Sequence, residues 1–323
     1  MKSLSRSSIL CLLSTTLALI FGLAQPARSQ DTSAYKVLGQ DKGKVSLVDA
    51  KGNVEWEYEC RHGSHDIHLL PNGNFLLHTS PTQITEVTRD KKIVWQYESK
   101  PAEGYKGPIE VHAFERLADG NTMIAESGNK RIIEVDAKGK IVKQIPLIVE
   151  HPDAHRDTRM VRKLKSGNYL VCHEGDGCVR EYDPTGKVVW SYNLDLMGQK
   201  PAGGHGPEAY GVAVFGALRL SSGDTLIAGG NNHRVLEVDP KGKIVWKLDQ
   251  KELPGITLAW VTTLHALPNG NIIIGNCHAN PENPQLIEIT KDKKVVWTFN
   301  NQRIFGNDLA VAQVLGTATP VTR

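Results

Sequence analysis

The sequence has little excess charge of either sign and, beyond its N-terminus, no long apolar segment. Its 323 residues include 38 Lys and Arg against 35 Asp and Glu, a formal charge of +3, and no basic patch dominates. Such a balance does not favour nucleic-acid binding. The lack of a later segment of membrane-spanning length argues against a polytopic membrane protein. With 40% hydrophobic residues, the chain still has enough apolar side chains to form a core.

Two common catalytic motifs are also missing from the sequence. No glycine-rich loop follows a strand-like run and opens a helix, so a phosphate-binding loop is not expected. No Gly-x-Ser-x-Gly segment is present, so the nucleophile elbow of the α/β-hydrolases is not expected either.

The first residues have the plan of a secretory signal peptide. Lys2 and Arg6 precede the apolar run 9–24, and small residues follow it. We expect residues 1–29 to be removed by cleavage after Ser29. The mature chain, residues 30–323, is then secreted or periplasmic and is not inserted in a membrane.

Export would place the four remaining cysteines in an oxidising compartment. Cys172 and Cys178 flank a tight connection between two strand-like runs. A hairpin there would bring them within bridging distance, and buried free thiols are the alternative. Cys60 and Cys277 lie far apart in the chain, and the sequence does not say whether they meet.

An internal repeat organises the rest of the chain. A turn signal of the form x-Gly-Asn/Asp recurs between two apolar strand-like runs, at Gly73, Gly120, Gly167, Gly223 and Gly270. A second turn, followed by a β-branched pair, recurs six times and ends at Trp56, Trp95, Lys143, Trp190, Trp246 and Trp297. Both signals are typical of hairpins. We interpret the five tryptophans as side chains that pack each outer strand against its neighbour.

The repeats predict the fold. Each unit provides four short antiparallel strands over about 47 residues, which is the size of a propeller blade. Six closing signals predict six blades. Residues 35–58 supply three strands of one blade, and residues 308–315 supply its missing innermost strand. We therefore predict an all-β fold, a single six-bladed β-propeller over residues 30–323, closed by pairing of the C-terminal strand with the N-terminal strands.

The repeat sequences resemble those of known propeller families. Asp-Pro-Thr-Gly-Lys-Val-Val-Trp190 and Asp-Pro-Lys-Gly-Lys-Ile-Val-Trp246 resemble the tail of the pyrroloquinoline-quinone-type (PQQ-like) repeat. Residues 129–136 and 231–239 are similar to NHL-type repeats, and residues 65–74 resemble inner-strand segments of the bacterial arylsulfotransferase family. The last resemblance implies a channel histidine that acts as a nucleophile and carries a sulfuryl group, assisted by other histidines and an arginine.

The histidines concentrate on one predicted face of the propeller. Ten of the twelve lie in blade-to-blade connections, at the starts of inner strands, or at or after the ends of second strands. These positions belong to the face with the irregular loops, where binding usually occurs on a rigid scaffold. His68 and His265 lie in mid-strand, and we interpret them as packing residues.

Three residues of this face occupy equivalent positions. His65 and His112 each lie eight residues before a turn glycine, and Arg159 has the same place in the next unit. Such positions form a ring around the central channel, where imidazoles and a guanidinium make an anion site. We predict these three as the catalytic set, and the resemblance to arylsulfotransferases implies similar positions. Six further residues are predicted to bind the ligand: His62, His155, His173, His205, Trp260 and His278.

The predicted function is binding of a small polar or anionic ligand, or of an extracellular partner, by an exported, monomeric propeller. The alternative is an enzyme, either an arylsulfotransferase-like group transferase or a quinone- or metal-dependent oxidoreductase. The cofactor stays unknown, and a quinoprotein is less favoured because the sequence shows no adjacent-cysteine pair, no calcium loop and no convincing acidic base. His62-x-x-His65 and His151-x-x-x-His155 have tolerable spacing for a metal, but no metal ligands are assigned.

Overall fold

The computed structural model describes residues 35–316, which form six four-stranded antiparallel sheets around a central axis. The predicted all-β, six-bladed propeller is confirmed. No helix in this part of the chain is long and apolar enough to cross a membrane. The predicted signal peptide, residues 1–29, lies outside the described residues.

The blades follow one another along the chain, and blade 1 combines both ends. Blade 1 consists of β1 (Lys36–Asp41), β2 (Lys44–Val48), β3 (Val54–Glu59) and β24 (Ala312–Leu315). Blade 2 consists of β4 (His68–Leu69), β5 (Phe75–His78), β6 (Gln83–Val87) and β7 (Ile93–Glu98), and blade 3 of β8 (Glu110–Arg116), β9 (Thr122–Ser127), β10 (Arg131–Val135) and β11 (Ile141–Pro146). Blade 4 consists of β12 (Val161–Lys163), β13 (Tyr169–His173), β14 (Cys178–Tyr182) and β15 (Val188–Asn193), and blade 5 of β16 (Gly216–Arg219), β17 (Thr225–Ala228), β18 (Val235–Val238) and β19 (Ile244–Leu248). Blade 6 consists of β20 (Trp260–Ala266), β21 (Ile272–Cys277), β22 (Leu286–Ile289) and β23 (Val295–Phe299).

Blade 1 closes the ring. Strand β24 pairs antiparallel with β1, so that Lys36 lies opposite Leu315 and Val37 lies opposite Val314. The two valines are buried in the same core cluster. Because the pairing joins the two ends of the described chain in one sheet, it removes the open edge that a broken ring would expose. The predicted closure is therefore confirmed.

The turn glycines adopt a backbone conformation that other residues avoid. The five glycines of the first signal have φ between 84° and 94°, in the left-handed region where a Cβ atom is costly. In the first of these turns, the amide of Gly73 donates to the carbonyl of Leu70, and the amide of Asn74 donates to Oδ1 of Asn72 at 3.0 Å. The x-Gly-Asn/Asp signal therefore specifies the tight turn between the first two strands of a blade.

The closing tryptophans pack outer strands against the next blade. Trp56 of β3 stacks on Phe75 of β5, with ring centroids 3.7 Å apart. Trp95 of β7 lies 4.8 Å from the guanidinium of an arginine in β8. Where the repeat has Lys143 instead, its ammonium lies 5.5 Å from the ring centre of Tyr169 in β13. The cation–π contact between neighbouring blades is thus kept, with the cation now on the outer strand.

The disulfide considered between Cys172 and Cys178 is not formed, and all four cysteines of residues 35–316 are buried free thiols. In the β13–β14 ladder, Cys172 lies opposite Val179, and His173 lies opposite Cys178. Because side chains alternate along a strand, this register directs the two thiols to opposite faces of the sheet. The alternative drawn from the sequence, buried free thiols, is correct.

Candidate functional site

The residues eight positions before the turn glycines converge at one mouth of the channel. The rings of His65 and His112 meet edge to face with centroids 4.7 Å apart. A terminal nitrogen of Arg159 lies 3.3 Å from Nε2 of His65 and 3.4 Å from Nε2 of His112. Phe215 and Thr262, which have the same offset in the next two repeats, line the same cavity. The structure therefore brings the three predicted catalytic residues together.

Local backbone structure sets these positions. His65 and Arg159 precede the short inner strands β4 and β12, and the amide of Arg159 donates to the carbonyl of Cys172 in the neighbouring strand. His112 lies within β8, where the register shifts between Val111 and Ala113. Such bulges redirect side chains, and this one places the imidazole of His112 against His65.

The charge of Arg159 is balanced within the site. Its side chain is only 5% exposed, and its Nε donates to a carboxylate oxygen of Glu174. The other oxygen of Glu174 accepts a hydrogen bond of 3.1 Å from Nε of Arg156. A buried guanidinium needs a partner of opposite charge. Glu174 is this partner and holds Arg159 in place, while a terminal nitrogen of Arg159 faces the two histidines.

His65 is an uncharged imidazole at neutral pH. The pKa of His65 lies well below its usual range, chiefly because the ring is buried and also because the charge of Arg159 lies beside it. Its Nδ1 is buried and makes no hydrogen bond to any residue between 35 and 316. Burial also lowers the pKa of His112. The two rings can therefore donate or accept hydrogen bonds without adding charge beside Arg159.

A cavity of about 590 Å³ opens beside this cluster. Six of the predicted site residues line it: His65, His155, Arg159, His205, Trp260 and His278. The ring centroid of His205 lies 5.0 Å from that of Trp260 and 5.0 Å from that of His278. Phe215 adds a second aromatic surface. A concave site with aromatic walls and a few polar groups is the usual form of a small-molecule pocket.

The wall of the cavity also carries Cys277, His278 and Asp308. Nε2 of His278 lies 3.2 Å from Oδ1 of Asp308, and Sγ of Cys277 lies 3.6 Å from the same oxygen. Burial raises the pKa of the Cys277 thiol well above its ordinary value. Cys277 is therefore a protonated thiol and lacks the thiolate that a nucleophile requires.

Three predicted residues do not line the cavity. His112 lies behind His65 and is only 1% exposed. The ring centroid of His62 lies 4.7 Å from that of His78 in an edge-to-face contact. His173 is fully buried, and its ring nitrogens lie 2.7 Å from the carbonyl oxygen of Asp157 and 2.9 Å from the hydroxyl of Tyr182. Since both nitrogens of His173 have partners within the fold, neither remains for a ligand.

The sequence reasoning missed the carboxylates of the site, Glu110 among them. Oε2 of Glu110 lies 2.9 Å from Nε2 of His112 and 2.8 Å from Nδ1 of His155. The neighbouring imidazoles, first that of His112 and then that of His155, hold the pKa of Glu110 below its usual range. The sequence carried one signal for this contact, because Glu110 stands only two residues before His112.

A second cavity, of about 520 Å³, is lined mainly by the tight turns and inner strands of blades 4 and 5, with Glu115 of blade 3 and Glu181 of β14 also in its wall. Its wall includes Arg219, whose guanidinium pairs with Glu181 at 2.6 Å. Arg162 also lines it and in addition lines a small cavity of about 30 Å³ next to His65. The second cavity carries no histidine.

No protein-family model and no curated protein matches the chain. Among solved structures, a protein of unknown function from Bacteroides caccae is 24% identical, with a TM-score of 0.71 and coverage of 87% of this chain and 98% of that one. A streptogramin B lyase is 14% identical, with a TM-score of 0.55 and 84% of each chain covered. An inactive histidine-to-alanine variant of virginiamycin B lyase from Staphylococcus aureus with quinupristin is 12% identical, with a TM-score of 0.53 and coverage of 84% and 86%. At these identities the similarity shows the fold alone, a β-propeller.

Proposed function

We propose that this protein is an exported β-propeller that binds a small anionic ligand with an aromatic or apolar part in the cavity at the channel mouth. The observation that carries the proposal is the convergence of Arg159 with His65 and His112 beside that cavity. A guanidinium presents a fixed fork of donors that suits carboxylate, sulfate or phosphate. His65 adds a hydrogen-bonding nitrogen without adding charge. Export is supported by the sequence of residues 1–29.

The aromatic residues of the cavity support the proposal that the ligand has an aromatic or apolar part. Phe215 lies beside the anion-binding cluster, with its ring centroid 5.9 Å from that of His65. Trp260 lines the same cavity next to His205. Aromatic faces bind apolar or aromatic groups well, so an aryl sulfate, aryl phosphate or aromatic carboxylate matches both halves of the site.

Calorimetric titration with 4-nitrophenyl sulfate, phenyl phosphate and benzoate tests the proposal. Substitution of Arg159 alone would leave the buried Glu174 with Arg156 as its remaining charged partner, so the informative variant carries Arg159→Gln and Glu174→Gln together. We expect it to bind about 10- to 100-fold more weakly, because charge-assisted hydrogen bonds contribute about 1.5–3 kcal/mol.

The matched control carries Arg219→Gln and Glu181→Gln, which remove a similar ion pair from the second cavity. We expect its affinity to equal that of the wild type. Wild-type protein that binds none of the three compounds, or an equal loss of affinity in both double variants, would contradict the proposal.

A second candidate function is sulfuryl transfer of the arylsulfotransferase type, which is favoured by the contact between the uncharged His65 and Arg159. In such a step a ring nitrogen of His65 bonds to sulfur while the bond from sulfur to the phenolate oxygen breaks. The oxygen of a second phenol then bonds to sulfur while the bond from sulfur to the ring nitrogen breaks, the proton of that phenol passes to solvent, and the imidazole is regenerated. Release of 4-nitrophenolate from 4-nitrophenyl sulfate in the presence of phenol, lost in His65→Ala, would support this candidate. No turnover by the wild type rejects it and leaves the binding proposal intact.

A further inference from the structure

We propose that Glu110, His112 and His155 bind one divalent transition-metal ion of the zinc class at the edge of the channel-mouth cavity. Oε2 of Glu110 lies within 2.9 Å of a ring nitrogen of each histidine. The three ligand atoms all lie within 4.8 Å of one another. The metal site does not depend on the proposed function, because metal binding is measured without any organic ligand.

The hydrogen bonds of His112 determine which nitrogen offers a lone pair. Its Nδ1 lies 2.8 Å from the carbonyl oxygen of Thr158, and since a carbonyl can only accept, Nδ1 carries the hydrogen. In the neutral ring, Nε2 then has a lone pair that faces a carboxylate oxygen of Glu110 at 2.9 Å. Two acceptors repel each other at this distance, so a cation on Nε2, either a proton or a metal ion, makes the contact favourable.

The proposed site extends from a buried ligand to an exposed one. His112 is 1% exposed. A metal ion between Glu110 and His155 lies closer to solvent, because the side chain of His155 is 56% exposed. The carboxylate of Glu110 balances part of the charge of the metal ion. Arg159 also approaches Nε2 of His112, but only to 3.4 Å.

The ligand set is that of a known type of metal centre. Two imidazoles and one carboxylate hold zinc in catalytic sites and leave a fourth position for water or an anion. With bonds of about 2.0–2.2 Å, the two short contacts of Glu110 must lengthen by roughly 0.5 Å, which a small rotation of this partly exposed side chain provides. The hydrogen bond from Nδ1 of His112 to a backbone carbonyl is the usual partner that orients a metal-binding histidine.

The other group of potential ligands on the cavity wall is a weaker candidate. Cys277, His278 and Asp308 also place their ligand atoms within 4.8 Å of one another. Metal binding there must displace the proton of a buried thiol whose pKa is already raised by burial. The site at Glu110 requires no such proton loss from a thiol.

Zinc titration of the purified protein tests the proposal. The protein is first treated with a chelator, then titrated with Zn²⁺ by calorimetry, and its metal content is measured by mass spectrometry. We expect one zinc ion per chain and at least about tenfold weaker binding in Glu110→Gln and in His155→Gln, since even changes beyond the ligands cost about 10–100-fold. Both side chains are partly exposed, and circular dichroism verifies that the variants fold.

The matched control is His151→Gln. His151 is also an exposed histidine beside a carboxylate, with Nδ1 3.2 Å from Asp176, and it belongs to neither ligand group. We expect it to bind zinc like the wild type. The proposal is overturned if the wild type binds no stoichiometric zinc, or if Glu110→Gln and His155→Gln bind it unchanged. A sulfur-to-cobalt charge-transfer band after Co²⁺ loading would also overturn it, because the ion would then lie at Cys277.

Discussion

Asp66 and Arg162 lie 96 residues apart in the chain and meet inside the channel through two hydrogen bonds of 2.7 and 3.0 Å. Asp66 is 2% exposed and also accepts hydrogen bonds from the backbone amides of Ile67 and Phe114. Arg162 lines both the small cavity next to His65 and the second cavity. Arg162 therefore lies between the small cavity next to His65 and the second cavity.

Substitution of Asp66 tests the role of this ion pair in stability. Asp66→Asn removes the carboxylate that accepts two hydrogen bonds from the buried guanidinium of Arg162, so we expect the free energy of unfolding to fall by about 3–5 kcal/mol. Combining Asp66→Asn with Arg162→Met removes both charges and should recover much of that loss. Urea unfolding measures both effects. If Asp66→Asn alone is as stable as the wild type, the ion pair contributes nothing to the stability of the protein.

The closure of the ring predicts different effects for two valines. Val314 of β24 is 3% exposed and packs in the core shared by the two ends of the described chain, whereas Val296 of β23 is 45% exposed. Val314→Asp buries an unpaired carboxylate and should destabilise the protein by at least about 3 kcal/mol. Val296→Asp should change the stability by less than about 0.5 kcal/mol. Similar unfolding midpoints for the two variants would contradict the observed closure.

The register of β13 and β14 predicts the redox behaviour of the cysteines. We expect iodoacetamide to label Cys60, Cys172, Cys178 and Cys277 in denaturant without reductant, because all four are free thiols. Reductant should leave the thermal unfolding midpoint unchanged, since no cross-link restrains the unfolded chain. Mass spectrometry counts the labelled thiols. If two of the cysteines react with iodoacetamide only after reduction, a disulfide forms in the protein.

The burial of His173 predicts a loss of stability in acid. Burial lowers the pKa of His173 to about 4 in the folded protein, whereas an unfolded chain has a value of about 6.5. Between these values the unfolded chain takes up the proton more readily. The free energy of unfolding should therefore fall with decreasing pH, by up to about 1.4 kcal/mol per pH unit from this residue. Urea unfolding of the wild type and of His173→Gln from pH 8 to 4 measures this effect. The variant should be less stable at pH 8, but its free energy of unfolding should fall less steeply as the pH decreases. An unchanged slope would disprove the contribution of His173.

The fold could be predicted from the sequence because its determinants are local. Each turn glycine needs a left-handed backbone and lies within a few residues of the strands it joins. Because the blades repeat, an equal distance from that glycine means an equal height in the channel. Counting eight residues back identified His65, His112 and Arg159. The same count in the next two repeats gives Phe215 and Thr262, which also line the cavity.

The remaining features depend on contacts that the repeat does not encode. A shift of one residue in the β13–β14 register decides which face Cys178 occupies. His173 lies at the predicted end of its strand but is oriented towards Tyr182 inside the blade. Glu174 reaches Arg159 only through the three-dimensional fold, from a connection outside the strands. These partners follow from tertiary packing, which sequence spacing does not report.

A crystal structure of the protein with bound phenyl phosphate tests most directly whether the channel mouth is the ligand site. We predict that the phosphate lies within hydrogen-bond distance of Arg159 and His65, with the phenyl ring against Phe215 or Trp260. Phenyl phosphate bound instead beside Arg219 and Glu181, or absent from the channel mouth at saturating concentration, would contradict the assignment of the site.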